Sequence, residues 1–192
     1  MPETPVSLLE RLRLQPDEQS WRRLVDLYTP WIRGWLARYS LAGSDLDDLV
    51  QDVMTILVQE LPRFRHDLRR GAFRRWLRNI VLNRVRTYWR KRQPQAASGP
   101  DLDRLLNQLE DPESDMNRLW DQEHNQHVVR RLFELIEQDF QPTTWKAFRL
   151  LTLEGKSVGE AAADLGMSST AVRIAKSRVL SRFRDEIAGL LD

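Results

Sequence analysis

Residues 71–92, GAFRRWLRNIVLNRVRTYWRKR, decide the fold of this 192-residue chain. Apolar residues recur there every three or four positions, which is the periodicity of an amphipathic helix. The predicted core face of this helix comprises Phe73, Trp76, Leu77, Ile80, Val81, Val85, Tyr88 and Trp89. Similar spacing recurs on both sides of this stretch, and no segment alternates like a β-strand. The sequence therefore predicts an all-α fold.

Two further helices are predicted before this stretch. The first covers roughly residues 21–39. Pro30 lies inside it and predicts a kink or a break near Thr29, because a proline in a helix interior removes one backbone hydrogen bond. Ser44 suits the N-cap of the second helix, and Pro62 ends it.

Composition excludes several classes of protein. The chain has 41% apolar residues, enough to bury a core, and 30% charged residues, enough to keep it dissolved. It has no cysteine, which excludes disulfide scaffolds, cysteine-ligated metals and thiol catalysis. No apolar run approaches the ~18–20 residues that span a bilayer, and no secretory leader is visible. A reducing, cytoplasmic compartment is therefore expected.

The charges are strongly segregated along the chain. Arg63–Arg92 contains twelve basic residues and one acid, and Ala171–Arg184 contains five basic residues and no acid. Asp101–Glu123 lies between them and contains eight acids and two arginines. Basic blocks of this density attract polyanions, and two separate blocks favour nucleic acid over an ordinary solvated face.

The chain divides into two predicted helical domains. Helical periodicity fails at Gln93–Pro100, QPQAASGP, whose composition is typical of a linker. It returns near Asn117, and Pro142 suits the start of another helix. The predicted segments are an N-terminal extension without an assigned role (1–19), a helical domain (20–92), an acidic linker (93–122) and a second helical domain (123–192).

A helix-turn-helix is predicted near the C-terminus. Ser157 and Glu160 form a capping box, Gly166 suits a left-handed turn, and Ser168 suits the N-cap of the next helix. Val172 then lies at the spacing that packs a second helix on the first. The outer face of the second helix, predicted to contact DNA, comprises Ser169, Thr170, Arg173, Lys176, Ser177 and Arg178.

Two features of the first domain indicate surfaces that bind other molecules. Aromatic residues alternate with arginines from Phe64 to Trp89, which suits the stacking of unpaired bases. Phe73 is more easily explained as core, and for Trp76 core packing and base stacking weigh equally. Asp48 and Asp52 share a helix face with Gln51 alongside; this face either meets a basic protein or is simply solvated.

Together these stretches resemble the extracytoplasmic-function class of bacterial sigma factors. DLVQDV at 48–53 is similar to the polymerase-binding segment of that family's region two. RFR at 63–65 and AFRRWLRNIVLN at 72–83 are similar to its promoter-melting segment, and 153–184 resembles its region-four helix-turn-helix. That family's recognition helix usually reads TVKSR, where this chain has Ala171-Val172-Arg173-Ile174-Ala175.

The resemblance implies a non-enzymatic promoter-specificity subunit with no metal or cofactor. It implies −10 element contacts from Phe64, Trp76, Asn83, Arg84 and Arg86. It implies −35 element contacts from the helix-turn-helix residues named above and polymerase contacts from Asp48, Gln51 and Asp52. Core RNA polymerase and promoter DNA are the implied partners, the resemblance allows an anti-sigma factor, and the acidic linker would lie in a polymerase channel.

Two other functions remain open at this point. A stand-alone helix-turn-helix regulator would bind duplex DNA as a dimer, with the N-terminal half for sensing or dimerisation. An enzyme would need a reactive site, and the only metal-like spacing is His124 and His127 on one helix face. Two histidines without a third ligand are a weak signal, and solvated histidines are expected there.

Overall fold

The protein is described by a computed structural model over residues 7–39, 43–65, 71–92 and 100–191. These residues form nine α-helices and no β-strand, which confirms the predicted all-α fold. The helices are α1 (Leu8–Leu14), α2 (Glu18–Leu36), α3 (Gly43–Glu60), α4 (Ala72–Arg92), α5 (Pro100–Glu110), α6 (Asp115–Ile136), α7 (Pro142–Thr152), α8 (Val158–Leu165) and α9 (Ser169–Ile187). Short 3₁₀ helices follow α2, α3 and α6 at Ala37–Tyr39, Leu61–Arg63 and Glu137–Asp139.

The first lobe is built by α1 to α5 and the N-terminal half of α6. Tyr28, Leu57 and Phe73 lie fully buried at its centre, and α6 contributes Trp120 to the same core. The predicted core face of α4 is confirmed for Phe73 and its aliphatic neighbours, whereas Trp76 is only partly buried. Tyr88 and Trp89 near the end of α4 are also only partly buried.

The second lobe is built by α7, α8 and α9 on the C-terminal half of α6. Val172 of α9 faces inward, as predicted, and Ala175 and Val179 are buried with it. Phe133 of α6 and Phe183 of α9 stack in parallel with their ring centroids 4.0 Å apart. The structure therefore has the predicted two-domain architecture, with α6 shared between the two cores.

Helix α6 is docked on α2 at a proline. Pro30 has no N–H, so the carbonyl of Asp26, four residues earlier, lacks its usual helical donor. The Nε of Arg131 on α6 donates to that carbonyl at 3.2 Å, and Nε2 of His127 donates to the carbonyl of Leu27 at 2.7 Å. Helix α2 continues through Pro30, so the alternative of a break near Thr29 is wrong.

An aromatic cluster seals this junction. The ring centroids of Trp31 and Trp120 lie 4.3 Å apart, and His124 stacks on Tyr28 at 5.8 Å. The Tyr28 hydroxyl lies 3.1 Å from Nε2 of His124, which is fully buried. Burial lowers the pKa of His124 to about 3, so the ring is neutral at physiological pH. The expectation of solvated histidines is therefore wrong, because α6 turns this face into the core.

A buried carboxylate ties the end of α9 to the N-terminal helices. Glu186 has no exposed surface and accepts from Arg11 at 2.8 Å and from Arg23 at 3.0 Å. It also forms an ion pair with Arg182 at 2.7 Å. Arg23 also donates to Asp139 at 2.8 Å. Burial opposes ionisation of Asp139, yet Arg23 and Arg182 hold its pKa below the ordinary value. These ion pairs join the two lobes beside the α2–α6 contact.

Much of the predicted acidic linker is helical. Gln93–Pro100 lies outside the described residues except for Pro100, which begins α5. Leu106 and Leu109 of α5 are buried in the first core. Helix α3 begins at Gly43, so Ser44 lies inside the helix rather than at its N-cap.

No helix in the described ranges is long and apolar enough to cross a membrane.

Lowering the pH should begin to destabilise the fold at pH values that are still above the range in which carboxylates titrate. His124 has a pKa of about 3 in the folded chain, against about 6.5 once unfolded. The unfolded chain therefore binds more protons between these values, and stability is lost as the pH falls below about 6.5. We expect a loss of about 2 kcal/mol between about pH 7.5 and about pH 5, measured by urea unfolding. His124→Gln should be less stable at neutral pH with a flatter pH dependence, and an unchanged slope would contradict this account.

Glu186→Gln should destabilise the chain by about 3–5 kcal/mol, because it leaves buried guanidinium groups without their counter-charge. Urea unfolding at neutral pH measures the change. The matched control is Asp115→Asn, which removes an exposed ion pair to Arg118 and should cost less than about 1 kcal/mol. Equal losses in the two variants would show that the Glu186 cluster does not stabilise the fold.

Candidate nucleic-acid and polymerase interfaces

The arginines of α4 lie on two different faces. Arg74 forms an ion pair with Asp121 of α6 at 2.8 Å and donates to Asn125 at 2.8 Å. Arg78 donates to Asn117 of α6 at 2.8 Å. Burial lowers the pKa of Arg78. These two arginines therefore hold α4 against α6 and are not available to a ligand.

Gly71 makes room for this arrangement. Its φ of +72° lies in the left-handed region, and an added Cβ would come within 2.7 Å of Nη2 of Arg74. A side chain at this position would displace the guanidinium that reaches Asp121.

The outer face of α4 carries a polar stripe beside Trp76. Asn79 and Asn83 follow Trp76 at spacings of three and seven residues, which places all three on one helix face. Asn79, Asn83 and the neighbouring Arg75 are exposed, and Arg75 has no partner among the described side chains. Sequence reasoning missed Arg75 and Asn79, although their helical spacing from Asn83 could have indicated them.

Phe64 and Trp76 form a stacked pair at one end of this stripe. Their ring centroids lie 4.7 Å apart with an interplanar angle of 29°. The 3₁₀ helix at Leu61–Arg63 positions Phe64, whose N–H donates to the carbonyls of Glu60 and Leu61 at 3.0 Å. Both rings are partly buried, whereas Phe73 behind them is fully buried. An unpaired base could stack on the outer surface of this pair.

The two remaining residues predicted to contact the −10 element, Arg84 and Arg86, differ in whether they already have a partner. Arg84 is half-buried, and its Nε has no partner in the described part of the chain. Arg86 is paired with Glu110 of α5, and this hydrogen bond raises the pKa of Arg86 and lowers that of Glu110. A carboxylate of the acidic segment is therefore paired with a guanidinium group that was predicted to bind DNA.

Helix α3 displays the predicted acidic stripe. Asp48, Gln51 and Asp52 are all exposed on the face opposite the buried Leu49 and Val53. No described cation pairs with Asp48 or Asp52, whereas Asp47 nearby is paired with Arg33 of α2. The stripe is therefore a surface with unneutralised negative charge.

The helix-turn-helix is assembled by local capping. Ser157 and Glu160 form the capping box of α8, with N–H to oxygen distances of 3.2 Å and 2.8 Å. Gly166 ends α8 with a φ of +61°, and the hydroxyl of Ser168 accepts from the N–H of Ala171 at 3.1 Å. Helix α9 then packs across α7 and α8 with Val172 and Ala175 buried and the opposite side of its first turns exposed.

The outer face of α9 carries the predicted cations. Arg173 and Arg178 are exposed, Lys176 is half-buried, and none of the three has an ion-pair partner among the described residues. Ser169, Thr170 and Ser177 are exposed on the same part of the helix. Ile174 lies among them and is 47% exposed, whereas Ala175 faces the core. The difference from the usual motif at Ala175 therefore does not alter the outer surface.

The described residues contain no group of three or more histidine, cysteine or acidic side chains that could hold a metal ion.

The comparison with known families agrees with this geometry. The family described as Sigma-70 region 2 matches residues 24–95, a range that includes α3, α4 and the Phe64–Trp76 pair. The chain therefore carries a sigma-70 region 2 domain. Domains of this family occur in RNA polymerase sigma factors of the sigma-70 type, which act in transcription initiation with core RNA polymerase and promoter DNA. No curated protein matches the chain significantly.

Removing the carboxylate that pairs with Arg86 should strengthen nucleic-acid binding. We expect Glu110→Gln to raise the affinity for a fluorescently labelled single-stranded oligonucleotide about 2- to 5-fold, the range equivalent to one partly exposed ion pair. Fluorescence anisotropy at low salt measures the change.

Glu113→Gln is the matched control. It removes the same charge from an exposed glutamate that has no arginine partner in the described part of the chain. An equal gain in both variants would mean that overall charge, rather than release of Arg86, explains the effect.

Proposed function

We propose that this chain is a sigma factor of the extracytoplasmic-function class that recognises both the −10 and the −35 promoter elements and promotes melting of the DNA. The region 2 domain and the helix-turn-helix are the two parts that such a factor needs. Helices α5, α6 and α7 lie between them among the described residues. The length of 192 residues agrees with this small class.

The proposal is carried by the surface of α4 beside the Phe64–Trp76 pair. Exposed amides at Asn79 and Asn83 lie on the same helix face as Trp76. Amide groups can donate to and accept from a base edge, and an aromatic pair offers a stacking platform. Bases offer both features only when they have left the duplex, so this surface suits the opened strand of a −10 element.

The −35 element would be read by α9. Its exposed face has the length and charge to enter a major groove, with Arg173 and Arg178 directed at guanine edges or phosphates. Ile174 adds an apolar group to this face. Apolar side chains contact the methyl group of thymine, so we expect a thymine to be preferred opposite Ile174.

Core polymerase would bind the acidic stripe of α3. Asp48 and Asp52 lack internal partners, and their free charge suits a basic or amphipathic helix of a larger protein. The resemblance of residues 48–53 to the family's polymerase-binding segment points to the clamp helices of the largest polymerase subunit. Because this stripe belongs to α3 and the base-binding face to α4, one domain can bind both partners.

Transcription with purified components tests this function. The full chain is incubated with core polymerase from its own organism, captured by pull-down, and used in run-off transcription on fragmented genomic DNA. We expect co-purification and a small set of discrete transcripts that core polymerase alone does not make. Palindromic duplex binding without polymerase, together with no transcript, would instead establish a stand-alone regulator and overturn the proposal.

Trp76→Ala should impair melting more than initial binding. Loss of a stacking surface costs ~1–3 kcal/mol per base, so we expect open-complex formation to fall about tenfold or more. Closed-complex binding should change less than about twofold, since duplex contacts precede stacking. Permanganate footprinting and gel shifts measure the two steps. Trp21→Ala, a half-buried tryptophan outside the matched region, is the control, and equal loss in both steps for Trp76→Ala would contradict the assignment.

Asp52→Arg should weaken binding to core polymerase about tenfold, because it places a cation where the proposed partner is basic or amphipathic. Pull-down at several protein concentrations measures the affinity. Glu113→Arg makes the same charge reversal at an exposed site outside α3 and should leave the affinity unchanged. Unaltered co-purification of Asp52→Arg would count against α3 as the polymerase-binding surface.

A further inference from the structure

The N-terminal extension contributes to a cationic cavity that is also lined by the two arginines flanking Phe64 in sequence. The cavity has a volume of about 560 Å³, and Arg13, Pro62, Arg63 and Arg65 line it. Arg13 belongs to the last turn of α1, which lies outside the matched range of 24–95. The arginines on either side of Phe64 thus share one cavity with a residue that the family match does not include.

Helix α1 is fixed in place by its own sequence. Ser7 and Glu10 form a capping box at its start. Leu8 and Leu12 are completely buried, and α1 packs against the 3₁₀ helix at Leu61–Arg63. Arg13 follows Leu12 directly, so burial of the leucine fixes the position of the Arg13 backbone. The last turn of α1 therefore has a defined position beside Arg63.

The cavity holds positive charge without a counter-charge. No acidic side chain is among its described lining residues, and Arg13, Arg63 and Arg65 have no hydrogen-bond or ion-pair partner in the described structure. The Nε of Arg13 is buried without an acceptor. Arg11 on the same helix instead pairs with Glu186. Clustered guanidinium groups repel one another, and a buried donor without an acceptor costs free energy, so this arrangement favours a bound anion.

We propose that this cavity binds a backbone phosphate of the opened −10 strand, which makes α1 part of the single-strand surface. Guanidinium groups match the geometry of phosphate oxygens and can donate two parallel hydrogen bonds. Phe64 lies between Arg63 and Arg65 in sequence and stacks on Trp76. A cationic groove next to an aromatic platform is the arrangement that holds single strands. The inference rests on the proposed function, because it assigns this cavity to the same strand.

Salt-dependent binding to single-stranded DNA tests the proposal. The full chain is titrated against a labelled 12-mer of thymidine by fluorescence anisotropy at several salt concentrations. Each phosphate contact adds about 0.7 to the slope of log affinity against log salt for single strands. We expect Arg13→Gln to reduce the slope by about 0.7 and to weaken binding about 5- to 10-fold at low salt. Arg13→Lys should keep the slope while losing part of the affinity, since it retains the charge without the planar fork.

Arg130→Gln is the matched control. Arg130 is an exposed arginine of α6 without a hydrogen-bond or ion-pair partner in the described residues, so its loss changes the net charge equally. We expect it to leave the slope unchanged. Thermal unfolding of each variant shows whether α1 remains folded. A slope for Arg13→Gln equal to those of the wild type and Arg130→Gln would overturn the proposal.

Two further measurements distinguish a strand phosphate from a free nucleotide and from a loss of polymerase binding. In the first, thymidine monophosphate is titrated by calorimetry. If it binds tightly in an Arg13-dependent way while Arg13→Gln leaves the salt slope of the oligonucleotide unchanged, the cavity belongs to a free nucleotide and the proposal is overturned. Core polymerase pull-down is measured in parallel. If Arg13→Gln lowers the salt slope, this inference is supported even if the chain fails to bind polymerase. If the chain binds polymerase normally and Arg13→Gln leaves the slope unchanged, the inference is overturned and the proposed function still holds.

Discussion

The contact between α2 and α6 is the interaction on which the rest of the structure depends. Pro30 removes a donor from α2, and Arg131 of α6 donates to the carbonyl that is left free. His127 of α6 adds a second hydrogen bond, to the carbonyl of Leu27. The buried indoles of Trp31 and Trp120 pack beside these polar contacts, so the helices meet through both hydrogen bonds and apolar area. Because α6 contributes to both cores, the same helix that completes the region 2 domain also carries the helix-turn-helix. A proline that is unfavourable for an isolated helix thus becomes a docking position, since the carbonyl of Asp26 that it leaves free accepts from Arg131 of the neighbouring helix.

Arginine serves two purposes in this chain, and the availability of a partner separates them. Arg74 and Arg78 on α4 meet acceptors on α6, whereas Arg75 on the same helix meets none among the described residues. The same division occurs on α1, where Arg11 pairs with Glu186 and Arg13 faces an unneutralised cavity. The total number of basic residues therefore overstates the surface that nucleic acid can use. Only the tertiary contacts show which guanidinium groups have remaining hydrogen-bonding capacity.

The sequence predicted the parts of the structure that depend on local chemistry. The capping residues and Gly166 define the helix-turn-helix within about ten residues, and all of them occur where the spacing indicates. The capping box at Ser7 and Glu10 and the leucines of α5 at helical spacing were equally local signals, and they could have shown that the N-terminal extension and much of the linker are helical. The environment of His124 was not predictable in this way, because its neighbours Tyr28 and Trp31 are distant in sequence. For the same reason the sequence could not show that Arg74 and Arg78 are used internally.

The acidic segment explains why the free cations are placed where they are. Glu110 pairs with Arg86, Asp121 with Arg74, and Glu123 with Arg38, so three acids of this segment neutralise arginines of the first lobe. Their effect is selective, because they lie on α5 and α6 and reach only the arginines that face those helices. The guanidinium groups near Phe64 and on the outer face of α9 are too far from these acids to pair with them, so their charge is not neutralised. A chain with a net charge of only +2 can therefore display two strongly cationic surfaces. Of the two pairs that involve α4, Glu110–Arg86 is half-exposed on both sides, whereas Arg74 of the Asp121–Arg74 pair is mostly buried. A phosphate can therefore displace Glu110 from Arg86 at a lower cost than Asp121 from Arg74.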